Sequence, residues 1–246
     1  MTSELRGIVL AGGTGSRLFP LTKVTNKHLL PVGRVPMIFH PIRRLIETGI
    51  HEIMVVTGTE HLGDVVGLLG SGREMGAEFT YRVQDEAGGI AQALGLCRGF
   101  AQGQPVAVIL GDNIFNGPVT GPVQDFLAQG SGARLVLAPV PDPHRFGVAT
   151  FGPEPARELL EIVEKPTTPP SNYAVTGLYF YDARVFHIVS ELAPSRRGEL
   201  EITDVNNTYL SWGELHYDIW ETGWSDAGTF DSLRRANEMV AGQEGD

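Results

Sequence analysis

Apolar residues in the first half of the chain come in short unbroken blocks. Gly7-Ile8-Val9-Leu10-Ala11 and Val106-Ala107-Val108-Ile109-Leu110 are such blocks, the pattern of strands buried on both faces. The pattern predicts strands over 5–11, 52–57, 78–84, 106–110 and 134–140, with helices over 36–48, 61–69, 90–98 and 119–129 between them. In the 36–48 segment Ile38, Ile42, Leu45 and Ile46 form one apolar face, Pro36 falls in the first turn and Gly49 ends the helix. Pro41 inside it is expected to bend it. This β-α repetition implies a mostly parallel sheet covered on both faces.

After residue 140 the pattern changes. Strand-like runs at 146–151, 159–164 and 173–181 are separated by turns such as Pro166-Thr167-Thr168-Pro169-Pro170. Helices are expected over 183–192, 201–211 and 229–242, with a strand over 214–220. No composition break, repeat or low-complexity tract divides the chain. The expectation is one α/β domain over 1–246, with a nucleotide-binding half at about 1–130 and a second-substrate half at about 131–246. The site is expected at the carboxyl ends of the strands.

Composition narrows the partners. The net charge is -10 and the 19 Lys and Arg residues are scattered, which excludes the clustered basic surface of a nucleic-acid binder. A phosphorylated ligand is still possible, because local cations and a metal reverse the field at a site. The 31 glycines exceed the roughly 17 expected at an average usage of about 7%, and many follow apolar runs, as in enzymes with tight loops after strands. The single Cys97 excludes a disulfide within one chain and reads as a buried thiol. No apolar run approaches the ~20 residues of a membrane span, and no secretory leader pattern opens the chain. A cytoplasmic protein without membrane partners is expected.

The chemistry-bearing residues sit at strand ends. Gly12-Gly13-Thr14-Gly15-Ser16-Arg17-Leu18 follows the first strand directly. A Walker A loop would place Lys and then Ser or Thr after its glycines, and a dinucleotide fingerprint would place a glycine where Leu18 stands. The second strand ends at Thr57-Gly58, with no ribose-binding acid. A dehydrogenase is therefore disfavoured. The loop's backbone N–H groups suit triphosphate oxygens, and Arg17 suits the charge developing on a departing pyrophosphate. Lys27, before Leu29-Leu30-Pro31, reads as a phosphate contact, and His28 is ambiguous. Gln84 ends the third strand and could read a base edge, with Gly88-Gly89 allowing close approach of a ring. Asp112 ends the most apolar strand, and Asp226 lies in Trp224-Ser225-Asp226-Ala227-Gly228-Thr229. Two carboxylates beside phosphates suit Mg2+, although either could simply cap a helix. Glu164 could accept from sugar hydroxyls and Lys165 could hold a sugar phosphate, or the two could form an exposed ion pair.

Together with Lys27-His28-Leu29-Leu30-Pro31, Leu110-Gly111-Asp112-Asn113, Glu161-Ile162-Val163-Glu164-Lys165-Pro166, Asn172–Tyr179, Arg197–Asp204 and Asp226–Thr229, these motifs extend over nearly the whole chain. The chain resembles the sugar-1-phosphate nucleotidylyltransferases, and within them the glucose-1-phosphate thymidylyltransferases. The resemblance implies a Rossmann-like, mostly parallel mixed sheet flanked by helices, and the reaction of dTTP with glucose 1-phosphate to dTDP-glucose and pyrophosphate. It implies nucleotide contacts from Leu10, Gly12, Gly13, Thr14, Gly15, Arg17, Lys27, Gln84, Gly89 and Asp112. Asn113, Gly147, Glu164 and Val175 would surround the glucose and Lys165 its phosphate. Arg17, Lys27, Asp112, Lys165 and Asp226 would carry the chemistry, with Mg2+ on Asp112 and Asp226. It also implies a homo-oligomer.

Three positions depart from the family pattern: His28 stands for a common Gln, Ala87-Gly88-Gly89 for Pro-Asp-Gly, and Phe146 for a sugar-side Tyr. Longer relatives continue beyond the 229–240 helix with a segment that contributes to an allosteric nucleotide site, so that site is expected to be incomplete here. The same chemistry with UTP or another hexose 1-phosphate, and a non-catalytic sugar-nucleotide regulator, remain alternatives.

Overall fold

A computed structural model describes residues 5–153 and 157–242; the ends of the expected 1–246 domain, 1–4 and 243–246, lie outside the described residues. The elements begin with β1 Arg6–Ala11, β2 Pro31–Val32, β3 Val35–Pro36, α1 Phe39–Glu47, β4 Glu52–Gly58, α2 Leu62–Leu69 and β5 Glu78–Gln84. They continue with α3 Ile90–Gly95, α4 Arg98–Ala101, β6 Val106–Leu110, β7 Ile114–Phe115, α5 Thr120–Gln129 and β8 Ala133–Pro139. The last are β9 Gly147–Phe151, β10 Leu159–Glu164, β11 Tyr173–Tyr181, α6 Val185–Glu191, α7 Ile202–Ser211, β12 Leu215–Ile219, β13 Trp224–Ser225 and α8 Phe230–Ala241.

One nine-stranded mixed sheet organises the fold, in the order β10-β9-β11-β6-β1-β4-β5, with β8 and then β12 joined through β11. The apolar blocks of the first half form its parallel ladders, β5 on β4, β4 on β1 and β1 on β6. The second half adds β11 antiparallel to β6, β8 antiparallel to β11, and β12 parallel to β8. Because side chains alternate along a strand, the blocks feed two cores. Ile8, Leu10, Val106 and Val108 pack with Leu94, Cys97, Val185 and Val205 on one face. Val9, Ala11, Ala107 and Ile109 pack with Ile42, Leu45, Val65 and Val123 on the other. Cys97 is fully buried, and that burial pushes its thiol up to about 12.

Some local expectations change. Pro36 pairs with Pro31 in the β2–β3 ribbon, and α1 begins at Phe39. Pro41 therefore sits in the first turn, where a missing N–H goes unnoticed, and not in the helix interior. The 90–98 helix is two pieces. α3 ends at Gly95, where a Cβ would lie 2.9 Å from Val189 Cγ1 on α6, and α4 restarts at Arg98.

The sheet forks at β11. Its residues 178–181 pair with β6, and on the same edge Ala174 pairs with Val148 of β9. On the opposite edge the β8 register shifts between Val175 and Tyr179. Asn113, just beyond β6, fills the fork. Its Oδ1 accepts from Gly177 N at 2.8 Å and from Trp224 Nε1 at 2.6 Å, and its Nδ2 donates to Asp112 Oδ1 at 3.0 Å. Gly177 is required there, because a Cβ would lie 2.7 Å from the Asn113 amide. Asn113→Ala strands the buried Gly177 N–H and the Trp224 indole N–H. We expect it to lower the unfolding free energy by about 2–4 kcal/mol, read by urea denaturation at unchanged slope.

Candidate active site

Two cavities adjoin at the carboxyl ends of β1, β5 and β6. The first, of about 270 Å³, is lined by Leu10, Gly12, Gly13, Arg17, Lys27, His28, Gln84, Gly89 and Asp112 among others. The second, of about 230 Å³, is lined by Asn113, Gly147, Glu164, Lys165, Val175 and Asp226, and again by Arg17 and Asp112. Arg17 and Asp112 thus stand at the junction. Thr14 lies off this line, in a neighbouring cleft with Gly13, Gln84 and Glu60. Gly15 supports the loop from behind. It takes φ +62° ahead of the Ser16–Leu18 turn, and a Cβ would press on Thr22 and Lys27 at 3.1–3.2 Å.

Asp112 is buried, and burial alone would raise its carboxyl. The Lys27 ammonium at 2.5 Å, with the donation from Asn113, outweighs this and holds it below the usual carboxylate range. Asp226 goes the other way. Burial raises it and the nearby Asp112 charge adds to the rise, against the opposing pull of Arg145, whose Nη2 is 2.6 Å away. Arg145 also holds Asp142 at 2.7 Å. Its guanidinium lies 5.1 Å from the Phe146 ring centroid, and Phe146 packs at 5.3 Å on Trp224. Phe146 thus presents an aromatic wall to the second cavity.

The backbone is drawn tight around these groups. Lys165 and Ala227 both have positive φ, 43° and 35°, a region that non-glycine residues rarely enter and that collects at functional sites. Next to Ala227, a Cβ on Gly228 would lie 3.2 Å from Arg17 Nη2 and 3.5 Å from Asp112 Oδ2. The glycine keeps the space between these groups open.

In the second cavity, Glu164 Oε2 accepts from Thr203 Oγ1 at 2.6 Å, and Lys165 Nζ lies 3.4 Å from Glu164 Oε1. Arg197 reaches the same carboxylate at 3.7 Å and pairs with Glu199 and Glu201. Sequence reasoning gave no role to Arg145, Thr203, Arg197, Trp224 or Gln92. Arg197 and Thr203 stand inside the quoted Arg197–Asp204 motif, and Gln92 one turn after the quoted glycines. Arg145 has a local partner in Asp142, but Asp226, which ties it to the central acids, is remote in sequence.

His28 is fully buried, and burial and then the Lys27 charge press its imidazole down to about 3, against Asp112. Asn26 Oδ1 accepts from His28 N at 2.9 Å and contacts its Nδ1 at 2.7 Å, while Asn26 Nδ2 donates to Ala11 O at 3.3 Å. This neutral ring ties the Lys27 turn to the end of β1.

The profile of the family described as Nucleotidyl transferase matches residues 6–243, and the chain belongs to that family. Its relatives include the glucose-1-phosphate thymidylyltransferase of Xanthomonas campestris pv. campestris (strain B100), 42% identical over 241 residues, 97% of this chain and 81% of the relative. That of Mycobacterium tuberculosis (strain ATCC 25618 / H37Rv) is 43% identical over 238 residues, 96% and 82% of the two chains. A crystal structure from Bacillus anthracis, of a candidate glucose-1-phosphate thymidylyltransferase in complex with a sucrose, superposes with a TM-score of 0.91. It is 57% identical and covers 96% of this chain and 95% of its own. A UDP-glucose pyrophosphorylase complexed with UDP-glucose shares the fold at a TM-score of 0.83 and 23% identity, over 97% and 99% of the chains. Among the described residues, no helix is long and apolar enough to cross a membrane.

A histidine whose folded pKa lies below its unfolded value supports stability above about pH 6.5, and that support is lost as pH falls toward 3. Between pH 7 and pH 5 the native protein should lose about 2 kcal/mol more stability than His28→Gln. Paired denaturation curves at the two pH values measure this.

Proposed function

We propose that this enzyme transfers the deoxythymidylyl group of dTTP to α-D-glucose 1-phosphate, giving dTDP-glucose and pyrophosphate. The observation that carries this reading is the meeting of the two cavities at Arg17 and Asp112. One is lined by the glycine loop and Gln84, the other by Glu164, Lys165 and Arg197. The named activity of the relatives supports the same substrates.

In this reading the sugar-phosphate oxygen attacks the α-phosphorus of dTTP. The new oxygen–phosphorus bond forms as the bond to the β-phosphate oxygen breaks, and pyrophosphate leaves with that electron pair. The attacking phosphate is largely dianionic at neutral pH, since its second pKa is about 6, so no side chain needs to remove a proton. The protein's work is alignment and charge neutralisation. Lys165 and Arg197 flank the sugar phosphate. Glu164, oriented by Thr203, accepts from sugar hydroxyls. Lys27 and Arg17 face the triphosphate, with Arg17 on the departing side.

Among the described residues no three His, Cys, Asp or Glu side chains form a metal cage of their own. Asp112 and Asp226 nevertheless fit Mg2+, which is commonly held by one or two carboxylates together with substrate phosphates. The space that Gly228 leaves beside Asp112 suits such an arrangement. When bound, the ion would neutralise phosphate charge.

Arg17→Ala should lower turnover by about 10²–10³-fold and leave the affinity for glucose 1-phosphate within about threefold. Steady-state rates and a binding titration check this; unchanged turnover removes Arg17 from the departing side. Pyrophosphate release from dTTP, UTP, CTP, ATP and GTP, each with several hexose 1-phosphates and Mg2+, tests the substrates. Release is expected to be greatest with dTTP and glucose 1-phosphate. A preference for UTP moves the assignment, and no release with any pair favours a regulator.

A further inference from the structure

One polar side chain in the nucleotide-side cavity has an orientation fixed by backbone groups. Gln84 ends β5, and Gln92 lies in the first turn of α3. Gln92 Oε1 accepts from Gly88 N at 3.2 Å and from Gln84 Nε2 at 2.8 Å. Gln84 Nε2 also donates to Gly89 O at 3.2 Å. A side-chain amide can exchange its oxygen and nitrogen by a half-turn, but a backbone N–H only donates and a backbone carbonyl only accepts. The Gly88 N–H therefore selects the oxygen of Gln92, and the Gly89 carbonyl selects the nitrogen of Gln84. Both protons of Gln84 Nε2 are then committed.

Only Oε1 of Gln84 remains to face a ligand. Gly12 stands beside it, and a Cβ there would lie 2.8 Å from that oxygen, so the glycine leaves its approach open. Gln84, Gly12 and Gly89 line the cavity, while Gln92 acts from behind it.

We propose that Gln92 is a positioning residue that locks Gln84 as a pure acceptor, and that this lock selects the base of the nucleotide. Thymine and uracil carry an imide N–H that donates to such an oxygen. Cytosine presents a lone pair at the same ring position and meets it with repulsion. A buried polar group left without its partner is the strongest means of rejecting a near-isostere. The inference rests on the reading of this cavity as a nucleoside triphosphate site.

Gln92→Leu and Gln92→Met remove the nearer of the two acceptors that hold Gln84 Nε2, at 2.8 Å against 3.2 Å, and leave the Gly89 carbonyl alone to orient the amide. Gln92→Glu keeps an oxygen for both donors. Equilibrium titrations with dTTP, dUTP and dCTP, without sugar phosphate, read binding independently of turnover. The native protein and Gln92→Glu should prefer dTTP and dUTP over dCTP. In Gln92→Leu that preference should shrink by about tenfold or more, with dUTP following dTTP and the affinity for glucose 1-phosphate unchanged. Where Gln92→Leu lowers the melting temperature, Gln92→Met serves as the comparison.

The lock is overturned if the acceptor-free variants keep the native preference, or weaken all three nucleotides equally. It is also overturned if Gln92→Glu loses the preference as Gln92→Leu does, or if the native protein binds dCTP as well as dTTP. Selective binding of dTTP without turnover overturns the proposed transfer and leaves the lock standing.

Discussion

A strand edge can satisfy one neighbour at each position, and β11 offers the same edge first to β9 and then to β6. Backbone in the interval is buried and must find partners elsewhere. The Asn113 amide supplies one, accepting from Gly177 N while its other end holds Asp112. The irregularity of the sheet and the position of the buried carboxylate are thus one interaction. From this joint the rest of the site follows. Asp112 fixes Lys27. Trp224, anchored on the same Asn113 oxygen, opens β13 and brings Asp226 into the cavity two residues later.

The surroundings move the carboxyls of the two central acids in opposite directions. Lys27 and Asn113 overcome the burial of Asp112 and keep it ionised. Asp226 is raised by its burial and by the neighbouring negative charge, against Arg145. His28, beside both Lys27 and Asp112, stays neutral because burial and Lys27 oppose its protonation. The Lys27 turn is therefore held to β1 without a further positive charge.

The sequence makes long-period features legible and hides pairings across distance. The apolar blocks of β1 and β6 are readable because both faces of each strand are buried. The start of α1 is not, because Pro36 suits a helix's first turn as well as the two-residue ribbon it joins. β7 and β13 are two residues each, and their pairing joins Ile114-Phe115 to Trp224-Ser225 far along the chain. Among site residues, glycines and charged groups at strand ends stand out by type and place. Arg145 does not, since its meaning lies in a remote Asp226. Gln92 is hidden for another reason: its bonds to Gly88 and Gln84 lie within eight residues, but amide orientation is a property of geometry alone. At the Ala87-Gly88-Gly89 departure, Gly88 and Gly89 supply the backbone donor that orients Gln92 and the backbone acceptor that orients Gln84.

The paired ions of the cleft have a wider consequence. Lys27 is neutralised by Asp112, and Arg145 by Asp226 and Asp142, in a chain whose net charge is -10. Each of these two cations already has a counter-ion that is covalently part of the protein. An anion that took up these cations would enter by exchange, displacing an internal carboxylate from its partner, much as a solute displaces the ion held on a charged resin. Selectivity in such a medium rests less on total charge than on which guest can take over a partner's geometry. An acidic protein can in this way bind highly charged anions without displaying a positive surface to everything else in solution.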